Sequence, residues 1–165
     1  MSTDRLRSDF DEVWMKYHVL LAALLSIVLV SLPQSAESLG IGVGSTTIAS
    51  GLSLKQYAGP TAFQLTAGCW GGCDGVAASL DFLVPMPAFA NAQVLALAWN
   101  FGAGPAVGIG GGEVGVAGSF VLGLEVIFQP LPIDLVLEWR PAVHVLPDLD
   151  LEFVAFGGHL RIYLF

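Results

Sequence analysis

The stretch EVGVAGSFVLGLEVIF, residues 113–128, sorts into two sets by parity. Its even positions are Val114, Val116, Gly118, Phe120, Leu122, Leu124, Val126 and Phe128; its odd positions are Glu113, Gly115, Ala117, Ser119, Val121, Gly123, Glu125 and Ile127. Period two is the side-chain repeat of a strand. The stretch therefore predicts a strand with one bulky apolar face and one face of small residues and carboxylates. In a water-soluble sheet the greasy face packs inward and the polar face is richly charged. Here the polar face is Gly, Ala and Ser with sparse charge, which suits a narrow interior better than water. Large side chains outward and polar ones inward is the pattern of a transmembrane barrel. Only a closed barrel lets strands cross a bilayer, because an open edge leaves backbone groups unpaired.

The same alternation extends in both directions. Ile133, Leu135, Leu137, Trp139, Val143 and Val145 share one face, with Asp134, Glu138, Arg140 and His144 opposite. Leu95, Leu97, Trp99 and Phe101 oppose Ala96, Ala98, Asn100 and Gly102. Val76, Leu80, Phe82 and Val84 oppose Ala77, Ser79 and Asp81; Phe63, Leu65 and Ala67 oppose Gln64, Thr66 and Trp70; Leu52 and Leu54 oppose Ser53, Lys55 and Tyr57. Eight strands are expected, at 39–47, 50–58, 61–70, 76–84, 93–104, 113–128, 133–146 and 151–165. Each meets the ~9–11 residues a tilted spanning strand needs. The fold class is thus all-β, an eight-stranded antiparallel up-and-down transmembrane barrel. An even strand number puts both termini in the periplasm and turns the short Ser45–Ala49, Gly71–Gly75, Gly110–Gly112 and Pro147–Asp150 loops outward.

Composition agrees. The chain is 55% hydrophobic and 12% charged, with mean hydropathy +0.73, whereas soluble domains carry about 25% charged residues. Yet the best candidate for a spanning helix beyond the first third, Ala117–Leu137, holds Glu125, Asp134, Pro130 and Pro132. A helix crossing a bilayer needs ~20 predominantly apolar residues. All 20 glycines fall at or after Gly40, well above the usual density of about 7%, and glycine favours turns and crowded strands over helices. Net charge is −8, which excludes nucleic acid as a partner, since its backbone calls for Lys and Arg.

The first 38 residues read as an address. Lys16 precedes an apolar run from Val19 to Leu32, and Ser35, Ala36, Glu37 and Ser38 supply a small-residue cleavage region. That order is a signal peptide with a helical core, and the run is short for a spanning helix. The acids Asp4, Asp9, Asp11 and Glu12 are foreign to a signal, so translation is expected to begin at Met15. The alternative is a retained anchor. The barrel domain is expected over 39–165. Export places Cys69 and Cys73 in an oxidising compartment, where a disulfide across Trp70, Gly71 and Gly72 is plausible. No second pair at ligand spacing points to a metal.

The stretch GLSLKQYAG from Gly51, the stretch VLGLEVIFQPLPIDLVLEWRPAVHVLPDLD from Val121, and the ending Ile162-Tyr163-Leu164-Phe165 together resemble a widespread family of small uncharacterised outer-membrane β-barrels from Gram-negative bacteria. The resemblance covers roughly residues 39–165. It implies an outer-membrane location after export, and no known enzymatic activity, catalytic residue or cofactor. Tyr163 and Phe165 resemble the terminal signal that the barrel-assembly machinery reads. Strict alternation with those two facing lipid would carry His159 and Arg161 to lipid as well, which a bulge at Gly157-Gly158 or a snorkelling Arg161 would resolve.

Lys55, Asp81, Glu125, Asp134, Glu138 and Arg140 form the expected polar cluster of the lumen. A gate or ion path and a simple polar plug both fit them. The plug is favoured because an eight-stranded barrel is just wide enough for side chains to fill it and buried charges must pair. His144 and His159 with Ser119 are a weaker hydrolytic set, supported by no spacing. Asp148, Asp150 and Glu152 read as a solvated acidic turn. The glycines of 102–112 lack the ending and the helix of a nucleotide loop. The function expected is a monomeric, lipid-embedded barrel with a structural or narrow, porin-like pore role and no cofactor. The alternatives are an outer-membrane lipid-modifying enzyme and a soluble lipocalin-like periplasmic carrier.

Overall fold

The computed structural model describes residues 37–70 and 73–164. The expected signal region lies outside them except for its last two positions, as do Met15 and Phe165. The strands are β1 Glu37–Ser45, β2 Ser50–Ala58, β3 Thr61–Trp70, β4 Gly75–Pro85, β5 Ala90–Asn91, β6 Leu95–Gly110, β7 Glu113–Phe128, β8 Ile133–Trp139, β9 Ala142–Leu146, β10 Asp150–Glu152 and β11 Phe156–Leu164. Pairing is antiparallel throughout. It runs β1–β2–β3–β4–β6–β7–β8–β11, and β11 returns to β1 from Leu39↔Leu164 to Ser45↔Gly158. The sheet is a closed eight-stave barrel. β9 continues the seventh stave, while β5 and β10 are short flanking pieces on β6 and β9.

The parity of residues 113–128 decides the facing as expected. Along β7 from Gly115 to Glu125 the odd positions are buried and the even ones exposed or half-buried. Val121 is 0% exposed and its neighbour Phe120 44%. On successive staves Val43, Leu52, Phe82, Trp99, Leu122, Leu137 and Leu160 point out, while Ser53, Gln64, Asp81, Asn100, Glu125, Glu138 and His159 are buried. The polarity of an ordinary soluble barrel is inverted.

Four features depart from the strand plan. The fifth stave runs from 95 to 110, because β6 pairs with β7 over their full lengths through a two-residue turn at Gly111 and Gly112. Both turn residues have positive φ, 59° and 85°, as a tight hairpin of this hand demands. The seventh stave breaks at Arg140-Pro141, since Pro141 has no N–H to give the ladder. β7 pairs with β8 at 122–128 and, in the same register, with β9 at 117–119, the register shifting only between Val116 and Ala117. The loop after β1 lies at the end away from the termini but folds inward over the lumen. Thr46, Ile48 and Ala49 are buried, and the turn is held by Thr46 N–H donating to the Ala49 carbonyl at 2.8 Å.

The fourth departure concerns the last strand. Leu160, Ile162 and Leu164 face out, and His159 and Arg161 lie in the lumen with the Tyr163 ring. Neither a bulge nor snorkelling is used: the register with β8 runs unbroken from Phe156↔Trp139 to Ile162↔Ile133. The inward positions of β1 are Gly40, Gly42 and Gly44, and this makes room for the rings. A Cβ at Gly40 would stand 2.8 Å from the Tyr163 ring, and one at Gly44 would fall on His159 Nδ1.

Each end of the lumen is closed by its own residues. At the end away from the termini (the distal end), Ile48, Ala49, Ala77, Ala106 and Ala117 pack with Trp70. The Trp70 indole lies where a Cβ at Gly108 or Gly115 would stand, 2.7 Å away in each case. The Cys69–Cys73 disulfide ties down the hairpin beside it. At the terminal end the Tyr57 and Tyr163 rings are 6.0 Å apart between centroids.

Candidate functional site

Between these closures the lumen is filled by one polar network. Lys55, inward on β2, donates to both oxygens of Glu125 on β7, at 2.8 and 2.9 Å. Its Nζ also stands 4.9 Å from the centroid of the Tyr57 ring. The Tyr57 hydroxyl and Asn100 Nδ2 add bonds of 3.3 and 3.4 Å to Glu125.

Nearer the distal end, Arg140 joins Glu138 at 2.6 Å and Asp81 at 2.8 Å. It also donates to Ser119 Oγ at 3.2 Å. Its backbone continues the register of β8 with the eighth stave: Arg140 N–H donates to the Ala155 carbonyl at 2.8 Å, one step beyond the Phe156↔Trp139 pair. On β11, Arg161 grips Asp134 by two bonds of 3.1 Å, and the Tyr163 hydroxyl donates to the same carboxylate at 2.6 Å. Gln64 joins the groups. Its Oε1 accepts from Arg161 at 2.6 Å, and its Nε2 donates to Glu138 at 2.9 Å and Asp81 at 3.3 Å. His159 Nε2 lies 3.1 Å from Glu138, and Nδ1 lies 2.9 Å from Ser53 Oγ.

All six charged residues expected in the lumen are therefore there. His159 and Arg161 join them, although an alternation that sends Tyr163 and Phe165 to lipid would carry both to the outer face. Their inclusion changes the charge balance. Four buried acidic side chains, Asp81, Glu125, Asp134 and Glu138, meet three basic ones, Lys55, Arg140 and Arg161, with His159 beside Glu138 as the fourth. The six expected residues alone hold four acids and two bases; with Arg161 and His159 the two kinds are equal in number. Gln64 and Tyr57 also join, and both lay on the inward parity already read from their strands. Among the described residues three buried side-chain polar atoms lack a hydrogen-bond partner: Thr66 Oγ1, Asn100 Oδ1 and Arg140 Nε. Every charged side chain of the network has an ionic or hydrogen-bonded partner, which leaves little for water to offer it.

The chemistry available to it is limited by burial. Ser53, His159 and Glu138 stand in the order of a nucleophile, base and orienting acid. The serine has no exposed surface, however, and it meets the Nδ1 nitrogen while Nε2 holds the carboxylate. This is a hydrogen-bond relay without substrate access. The other set is dispersed: Ser119 bonds to Arg140 and the Gly104 carbonyl, and His144 pairs with Glu152 at 3.2 Å. Among the described residues no group of three or more His, Cys, Asp or Glu is placed to hold a metal. Asp74, Glu113, Asp148, Asp150 and Glu152 lie in or beside distal turns. Tyr163, expected on the lipid side as part of a terminal signal, is turned inward by its bond to Asp134.

No known protein family, no curated protein and no solved structure matches the chain.

Proposed function

We propose that this barrel is an integral protein of a bacterial outer membrane, exported by its N-terminal segment and structural in role, with a lumen that is a plug and not a pore. One observation carries the reading: the large aliphatic and aromatic side chains lie outside the closed sheet, and the ions lie inside it. Moving one such side chain out of water stabilises by about 1.5–3 kcal/mol. A barrel that keeps Leu137 at 61%, Leu160 at 48% and Phe120 at 44% exposure needs an apolar solvent around it. The nine-residue staves β1 and β2 suit a bilayer of ordinary thickness. A soluble carrier would hold its apolar residues around an internal ligand, the opposite arrangement. The plug is favoured over the pore because Lys55–Glu125 and Arg140–Asp81 tie together distant staves across the interior, and Arg161–Asp134 ties two neighbouring ones. Outer-membrane lipid is then the partner over most of the outer surface, with the assembly machinery as the transient one at the last strand, and the protein is a monomer.

The test has two arms. The protein should sediment with outer membranes and migrate differently on SDS gels before and after boiling. Reconstituted in a planar bilayer it should give no conductance steps. Recovery in the soluble periplasmic fraction without detergent would end the membrane reading, and discrete steps would end the plug.

A further inference from the structure

On the outer wall, between β8 and β2, lies an open groove of about 630 Å³. Its sides are Val43, Leu135, Leu137 and Leu160, and its floor is backbone at Gly158. The registers explain the notch. Leu137, Gly158, Ser45 and Ser50 stand side by side across four staves, and the second of them has no side chain. The next row toward the terminal end is aliphatic throughout: Leu135, Leu160, Val43 and Leu52.

At the distal rim of this groove, in a wall otherwise apolar, are two exposed hydroxyls. Ser45 Oγ and Ser50 Oγ are 2.8 Å apart. A hydroxyl pair holds two hydrogens, and one of them makes the bond between the two. The second is not used by that bond and is available to a further acceptor. We propose that the groove seats one acyl chain of a membrane lipid, and that the Ser45–Ser50 pair donates to the ester or amide carbonyl joining the chain to its headgroup. The inference rests on the membrane reading above.

Three observations support this occupant. The order along the wall, donor at the rim and apolar notch below, matches a lipid entering from the interface with its chain downward. A free O–H donor in hydrocarbon is costly, which places the pair at the level where carbonyls are found. The charge of the rim selects a neutral acceptor over a phosphate. Lys55, Arg140 and Arg161 are all buried in the lumen, and the charged residues of the distal turns are acids.

The test uses the full chain reconstituted in vesicles of ester-linked phosphatidylethanolamine and in matched vesicles of the ether-linked lipid, which lacks the carbonyl. After extraction into detergent, retained lipid is counted by native mass spectrometry. The wild type is expected to keep one ester lipid and to retain the ether lipid at least about fivefold less, the scale of one lost hydrogen bond. The double variant S45A/S50A should retain both equally, at the lower level. Val43→Trp, at an outward position that tolerates bulk, should retain neither. Heat-modifiable migration confirms that each variant is folded. Equal retention of ester and ether lipid by the wild type, or full retention by Val43→Trp, overturns the site while leaving the membrane reading intact. A wild type that does not enter vesicles at all overturns both.

Discussion

Arg140→Met tests whether ion pairing organises the lumen. The substitution keeps the length and apolar stem of the side chain but removes a guanidinium that serves two buried carboxylates, Glu138 at 2.6 Å and Asp81 at 2.8 Å. Removing one partner of a buried pair costs about 3–5 kcal/mol, because the remaining charge is left uncompensated in a poor solvent. Here two charges are left. Gln64 and His159 relieve Glu138 in part, at 2.9 and 3.1 Å, so the lower half of that range is expected to apply to it. Asp81 keeps the longer Gln64 bond of 3.3 Å. Roughly 4 kcal/mol is a large share of a typical stability of 5–15 kcal/mol. At a urea slope of about 2 kcal/mol per molar it moves the midpoint down by about 2 M.

The assay is urea unfolding in lipid vesicles, scored by the unboiled gel band. The companion variant Arg140→Met/Asp81→Asn/Glu138→Gln should recover most of the loss, since replacing a whole buried ionic group by neutral residues of like shape is close to neutral. If Arg140→Met costs under about 1 kcal/mol, or if the triple variant is no better than the single, then the lumen is hydrated and the plug argument is wrong.

Other outcomes follow from the same geometry. Leu124→Lys, on the outward face of β7, should cost about 2–4 kcal/mol in a bilayer, whereas a water-soluble protein would bear it within about 0.5 kcal/mol; unfolding in vesicles decides. Gly44→Ala places a methyl against the His159 ring and should cost about 1–3 kcal/mol as overpacking, measured by the same denaturation and refuted by an unchanged midpoint. The Cys69–Cys73 bridge closes a short loop, with a sequence separation of 4. Cys69→Ser/Cys73→Ser should therefore cost only about 2 kcal/mol by loop entropy, and alkylation of the unreduced wild type should add no mass. Trp70→Ala should cost about 3–5 kcal/mol through the cavity it leaves at the distal closure; a smaller loss would mean that Ile48 and Ala49 close the mouth alone.

How much was legible in the sequence depends on the range of the rule that governs each feature. Strand identity and facing are local properties. A residue's side is set by parity, so Phe120 against Val121 and the inward places of Lys55, Asp81, Glu125, Asp134, Glu138 and Arg140 could be read from spacing alone. The last strand resisted because two local cues conflicted: aromatics at Tyr163 and Phe165 argued for one face, and the aliphatic row Leu160, Ile162 and Leu164 for the other. The alternation itself cannot choose between them. The choice was made across the barrel, where Asp134 on the neighbouring stave holds both Arg161 and the Tyr163 hydroxyl, and where glycines on β1 leave space for the rings. The same holds for partner identity. Sequence can put six ions into one lumen, but it cannot say that Lys55 takes Glu125, 70 residues away, and leaves Glu138 to Arg140. Those pairings depend on stagger between strands, a quantity that exists only once the sheet has closed. Backbone parity, with the preference of large apolar groups for an apolar surround, settled what faces which way; the closed sheet alone settled who meets whom.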